Sequence, residues 1–181
     1  MRALLTALAL IMPAAGMAVP QRATHSWDGR AAERGQPLFR ATMIAAHNDA
    51  RRRYGVAPLV WDENLARDAR IYAAALARTK RFEHDRQTRR PPQGENLWMG
   101  TRTAYSYSAM IGALVDERRH FRPGSFPAVS LTGNWSDVGH YTQIVWPTSQ
   151  RVGCATASNR AHDYLVCRYL PAGNVMGTIL R

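Results

Sequence analysis

Two cysteines near the C-terminal end constrain this chain more than any other feature. Cys154 and Cys167 are the only cysteines, and the turn-type residues Ser158-Asn159-Arg160 lie between them. The runs 152–157 and 164–170 read as two strands, so the segment is expected to fold back as a β-hairpin. Two cysteines at this separation read as one local disulfide if the chain reaches an oxidising compartment, and as two buried thiols if it does not. No CxxC pair is present to suggest a zinc site.

The N-terminus bears on that choice. Met1-Arg2, an apolar run over 3–12 and a small-residue segment over 13–18 have the layout of a secretory signal peptide. Gly16 and Ala18 fit the small-x-small pattern, which puts cleavage near Ala18 and the signal at 1–18. The apolar run is short for a bilayer span and no second one follows. The mature chain is therefore expected to be soluble, without a transmembrane segment, and secreted or periplasmic. Export selects the disulfide.

At 181 residues and 46% hydrophobic composition the chain allows one domain with a real core. Its net charge is +11, and Lys80 is the single lysine among the 24 basic side chains. Such a surface suits anionic partners: phospholipid headgroups, acidic polysaccharide or nucleic acid. A solvated arginine-biased surface is the plainer reading. Nucleic acid has only the charge in its favour, since no binding motif is present and export argues against it.

Along the chain, 19–36 is polar, Arg-rich and aperiodic, a flexible lead-in that Trp27 could anchor; a single domain is expected over 37–181. Residues 37–54 read as a helix, with Pro37 in its first turn and Gly55 just past its end. Phe39, Met43, Ala46, Ala50 and Tyr54 form its apolar stripe, Arg40, Asp49, Arg51 and Arg52 fall on other faces, and His47 is expected to pack and hydrogen-bond. Residues 56–61 form a connector too short and Pro-broken for a central strand. Asp62 caps a second helix that buries Leu65, Ala69, Tyr72, Ala73 and Leu76 and runs to about Lys80. A charged loop over 81–93 carries Phe82-Glu83-His84-Asp85, and 94–100 is a strand-like run. Ser108 is the expected cap of a third helix reaching about His120, and Glu117 in its last turn calls for a local partner, with Arg118 and Arg119 at hand. Residues 121–138 form a long loop.

The stretch Gly139-His140-Tyr141-Thr142-Gln143-Ile144-Val145-Trp146 sets an imidazole ahead of an apolar run that Pro147 terminates. A histidine there can be a ligand, a proton carrier or a satisfied core residue. His84, Glu95 and Glu117 likewise sit at element edges or in turns. Glu117-x-x-His120 matches half of a di-metal motif, but it occurs once, and a solvated helix end explains it better.

Taken in order, these segments resemble the CAP superfamily, the cysteine-rich secretory proteins, antigen 5 and pathogenesis-related protein 1, also known as the SCP domain. The resemblance rests on His47-Asn48 with Arg51, Pro58-Leu59-Val60-Trp61, Phe82-Glu83-His84, Gly94-Glu95-Asn96-Leu97 and Val115-Asp116-Glu117. It continues through 139–146, Val152-Gly153-Cys154 and the run 167–174. It implies an α+β fold, an α-β-α sandwich with a small antiparallel sheet between helical layers. It implies further that His84, Glu95, Glu117 and His140 meet in one open cleft, where His84 and His140 can bind a divalent metal, usually zinc. Two imidazoles suit zinc, and carboxylates beside them can orient the rings or a bound water. Two protein ligands are fewer than catalytic zinc sites use, so weak binding is expected, and a purely structural polar cluster is the alternative. Many relatives carry Ser after the first cleft histidine. Asp85 stands there and removes the nucleophile of a serine-based peptidase. The favoured role is a binding module for a lipid or an anionic surface component, with Arg81, Arg86, Arg89 and Arg90 near His84 and grooves between helices as contact surfaces. A metal-dependent hydrolase of peptide or cell-wall material, using Glu95, is the alternative.

Overall fold

The computed structural model describes residues 34–87 and 91–181. The expected signal peptide over 1–18, most of the lead-in with Trp27, and Arg89 and Arg90 lie outside the described residues. Arg34, at the end of the lead-in, is tied down: its guanidinium donates to Asp163 Oδ2 at 2.8 Å and stacks 5.0 Å over the Tyr107 ring.

The first helix, α1, spans Gln36–Tyr54 and ends on Gly55 in the left-handed conformation, whose N–H closes onto Arg51 and Arg52 carbonyls. Asn48 clamps the following connector with both amide atoms, accepting from Leu59 N and donating to Leu59 O. The connector contributes only a two-residue strand, β1 (Val60–Trp61). Asp62 then caps α2 (Glu63–Thr79) by accepting from the backbone N–H groups of Asn64 and Leu65. Strand β2 is Gly94–Thr101 and α3 is Tyr107–Val115. The α3 cap is Ser106, not Ser108. The helix starts two residues early, which brings Tyr107 edge-on to Phe39 with ring centroids 4.9 Å apart. Asp116–His120 continues as a 3-10 helix.

The long loop is more structured than its composition suggests. It holds β3 (Gly124–Ser125), which pairs with β6 (Ile179–Leu180), and a 3-10 turn at Trp135–Asp137. The Gly139 stretch forms a short helix, α4 (Gly139–Ile144). The hairpin follows as β4 (Arg151–Ser158) and β5 (His162–Leu170), joined by the disulfide Cys154–Cys167.

The main sheet runs β1-β4-β5-β2. It is antiparallel except for the β1–β4 pair, which is parallel because the chain crosses over between them. Side-chain alternation splits the core. Tyr164, Val166, Ala155 and Leu97 face α2 with its Ala69, Ala73 and Leu76. Leu165, Cys167, Tyr169, Val152 and Cys154 face α1, α3 and α4. Gly153 on β4 lets α2 come down onto the strand: a Cβ there would stand 2.2 Å from Ala66 N.

Arg51 overturns its expected placement on an outer face of α1. It is fully buried and donates to four carbonyl oxygens, those of Ala57, Ile144, Trp146 and Ser149. It thereby ties α1 to the end of α4 and to the approach to β4.

Candidate functional site

Strand β2 is an outer strand of the sheet, and the two candidate pairs are built around it. Glu95 lies on the α2 face of β2, across from Arg168 on β5. Its Oε1 accepts from His84 Nδ1 at 2.7 Å and from the Asp85 N–H at 3.1 Å. Glu95 is 5% exposed and His84 is 67% exposed, so a buried carboxylate holds a solvent-facing ring. That hydrogen bond raises the His84 pKa above its ordinary value, against the opposing effect of burial.

Arg168 anchors this pair from below. Its guanidinium is buried, donates to Asp85 Oδ2 at 2.7 Å and lies 2.9 Å from Glu95 Oε2. The second contact is ionic and lacks hydrogen-bond alignment, for Glu95 Oε2 and Arg168 Nε have no hydrogen-bond partner. The guanidinium carbon also sits 5.1 Å over the Tyr72 ring. Tyr72 donates to the Glu83 carbonyl, and its pKa is pushed up to about 12 by burial and by Glu95, Asp85 and Glu83. Asp85 is thus half of an ion pair rather than a free carboxylate. Beside it lies a cavity of about 200 Å³ lined by Asp68, Tyr72, Asp85, Arg86 and Arg168 among others.

The second pair lies beyond the opposite face. Glu117 Oε1 accepts from His140 Nδ1 at 2.5 Å, while Oε2 accepts from the N–H groups of His140 and Tyr141. The partner that Glu117 needed is therefore the start of α4, whose unsatisfied N–H groups favour a carboxylate. Arg118 and Arg119 do not fill that role, and His120 takes no part: it accepts from Arg119 Nε.

Asn96 connects the two sides. It points to the α4 face and donates to the His140 carbonyl at 3.0 Å and to Tyr169 Oη at 3.1 Å. Gly94, without a side chain, admits Gln143 of α4, whose Oε1 would stand 2.2 Å from a Cβ there. Tyr169 Oη lies 2.8 Å from His47 Nε2, and His47 Nδ1 lies 2.8 Å from the Met43 carbonyl. A carbonyl can only accept, so Nδ1 carries the proton and Tyr169 donates to Nε2. His47 is accordingly a buried packing residue, as its place beside the apolar stripe implies. Burial drops its pKa from 6.5 to about 4.

A carboxylate also only accepts, so both site histidines carry their proton on Nδ1 when neutral. Each then presents a bare Nε2 lone pair, and neither Nε2 has a hydrogen-bond partner among the described residues. This carboxylate–imidazole arrangement is the one that orients metal-binding histidines, so each pair, taken singly, is suited to present one Nε2 to a divalent ion. They do not form a closed cage. Among the described residues the one set of three His, Cys, Asp or Glu ligand atoms within 4.8 Å of one another is His47, Cys154 and Cys167. There the sulfurs are spent in the disulfide and both imidazole nitrogens are hydrogen-bonded, so that set has no free ligand atoms.

Arg168, Asn96 and Tyr169 were not singled out from sequence as site residues. The legible signal for Arg168 is an arginine inside an otherwise apolar strand. Asn96 and Tyr169 lie in segments that carry the family resemblance, but nothing local to them shows their role, because their partners are distant in the chain.

Comparison with known proteins agrees with this architecture. A model of the cysteine-rich secretory protein family, CAP, matches residues 44–169. Pathogenesis-related protein 1C of Nicotiana tabacum is 36% identical over 135 residues, covering 74% of this chain and 76% of that protein. Golgi-associated plant pathogenesis-related protein 1 of Homo sapiens is 33% identical over 139 residues, covering 76% and 86%. Among solved structures, NaASP2 with Zn2+ superposes with a TM-score of 0.65 at 22% identity, covering 80% of this chain and 85% of that one.

Proposed function

Because this chain belongs to the cysteine-rich secretory protein (CAP) family, we propose that it is a secreted binding module whose His84–Glu95 and His140–Glu117 pairs hold a divalent metal, zinc first. Its ligand is a lipid or an anionic component of a cell surface. One observation carries the reading: each imidazole is gripped at Nδ1 by its own glutamate and keeps Nε2 free. The structure of NaASP2 with Zn2+ supports zinc as the first metal to try. When bound, the ion supplies a Lewis-acid centre that fixes a phosphate or carboxylate headgroup. His84 and His140 would hold it, Glu95 and Glu117 would keep the rings oriented, and Arg86 would supply cationic surroundings. The hydrolytic alternative draws less support. Asp85 is paired to Arg168, and two imidazoles leave the coordination of a catalytic zinc ion incomplete.

Calorimetric zinc titration of metal-depleted protein tests the reading, beside the His84→Ala/His140→Ala double variant. Micromolar binding, about −8 kcal/mol, is expected in the parent and absent in the variant. Equal heats in both proteins would sink the metal assignment. Co-sedimentation with anionic vesicles that zinc does not strengthen would sink the role given to the metal in ligand binding.

A further inference from the structure

The second unpaired edge of the sheet is on β4, and it opens into a walled cleft. Strand β1 covers only Arg151 and Val152 of β4. Beyond Trp61 the chain turns away into the Asp62 cap of α2, so the remainder of β4 has no strand paired on that side among the described residues. The direction of each backbone group follows from the ladder. Asp62 N donates to Val152 O on the β1 side, whereas Asn159 N donates to His162 O on the β5 side. Successive residues alternate between the two sides, so the odd-numbered residues of β4 bond β5. The even ones, Cys154 and Thr156, aim N–H and C=O outward. The Cys154–Cys167 Cα separation of 4.1 Å agrees, since closely spaced opposite residues are the ones that do not exchange backbone bonds. No described residue hydrogen-bonds the outward groups of Cys154 or Thr156.

A cleft of about 780 Å³ opens on this edge at Cys154, the one β4 residue that lines it, walled by Ala41 and Ile44 of α1, by Ala66 and Arg70 of α2, and by Trp61. Its charged groups are Arg40 and Glu63, which pair with each other, and Arg70, which has no carboxylate partner among the described residues.

We propose that this cleft is a peptide-docking site: an extended acidic segment of a partner protein adds beside β4 as a further strand, collinear with β1. The unpaired donors and acceptors of Cys154 and Thr156 supply the ladder, which only a backbone can match in alternation. The small side chains Ala41 and Ala66 leave room for the added strand between the helices. The unpaired Arg70 selects acidic side chains, and the chain's net charge of +11 draws them in. The site is separate from the His–Glu pairs, and its outcome does not depend on metal binding.

The test uses the oxidised full chain and a blocked, fluorescein-labelled heptapeptide of alternating Asp and Val, followed by anisotropy and by amide NMR. Two isomers N-methylated on alternate residues probe the two edges of the peptide. Saturable binding is expected, with shifts and slowed exchange at the Cys154 and Thr156 amides. One methylated isomer should lose at least tenfold in affinity and the other should keep it. Thr156→Pro removes an outward N–H and leaves the bonds to β5 intact; at an unchanged melting temperature it should weaken binding at least tenfold. Arg70→Glu should do so for the acidic peptide while favouring its Lys-Val counterpart. The proposal is overturned by no binding at millimolar peptide, or by loss in both methylated isomers or in neither. Equal affinity for the Lys-Val peptide also overturns it, as does self-association that the peptide dissolves, since the edge would then belong to a second copy of this chain.

Discussion

Replacing Arg51 by Met tests the least expected feature of the core. The guanidinium is buried, has no carboxylate partner among the described residues, and donates at 2.6 Å to Ala57 O and at 2.9 Å to Ile144 O, Trp146 O and Ser149 O. Hydrogen bonds from a charged donor contribute roughly 1.5–3 kcal/mol each, so the four together come to roughly 6–12 kcal/mol. Removing the charge recovers its desolvation penalty, several kcal/mol in a protein interior. The net expected loss is about 4 kcal/mol, a large share of the roughly 5–15 kcal/mol that a domain possesses. Urea unfolding of the oxidised protein, followed by tryptophan fluorescence, measures it, and the melting temperature should fall by about 10 °C. Arg51→Lys should not restore it, because one ammonium cannot reach carbonyls spread over several segments. A Met variant within about 1 kcal/mol of the parent would refute the reasoning, for the four carbonyls would then need no donor from α1.

His47 makes stability depend on pH. Unfolded, it takes a proton near 6.5; folded, only near 4. The unfolded state therefore binds more protons in that window, and stability falls as pH drops from 6.5 to about 4, by about 3 kcal/mol. In His47→Gln that part of the slope should vanish from urea midpoints taken across the window. His84 acts in the opposite sense on metal affinity: because Glu95 raises its pKa, protons compete with zinc from a higher pH than for a free imidazole. Glu95→Gln should move the calorimetric pH profile downward, and an unmoved profile would deny the coupling. Gly153→Ala would put a Cβ 2.2 Å from Ala66 N and 2.5 Å from Asp62 O, both backbone atoms. The first turn of α2 must retreat, at roughly 1–3 kcal/mol in thermal unfolding. Replacing both Cys154 and Cys167 by Ala should cost about 3 kcal/mol by the loop-entropy model, read from urea midpoints against the oxidised parent.

Much of the fold could be read along the chain because its signals are local. Asp62 caps α2 with the side chain that any helix start would use, Gly55 ends α1 in the conformation only glycine adopts easily, and the Cys154–Cys167 hairpin needs nothing beyond its own turn and strands. Errors arose where a distant partner decided the outcome. Ser106 rather than Ser108 caps α3 because Tyr107 meets Phe39 from another helix. Arg51, polar by composition, is interior because carbonyls from later in the chain converge on it. Glu117 pairs with α4, more than twenty residues on, rather than with the arginines beside it.

The candidate site divides the same way. Sequence by itself marked His84, Glu95, Glu117 and His140 as candidates, grouped only by the family resemblance; it also determined the apolar stripes that pack the helices on the sheet. Only the tertiary structure decided how they pair, that Arg168 and Asn96 hold the two sides of β2, and that β1 ends early enough to leave β4 uncovered. The reason is physical. Propensity, capping and side-chain period act over a few residues and are written in local order, whereas a hydrogen bond across the sheet depends on register and packing, which the chain acquires only when all its segments fold together.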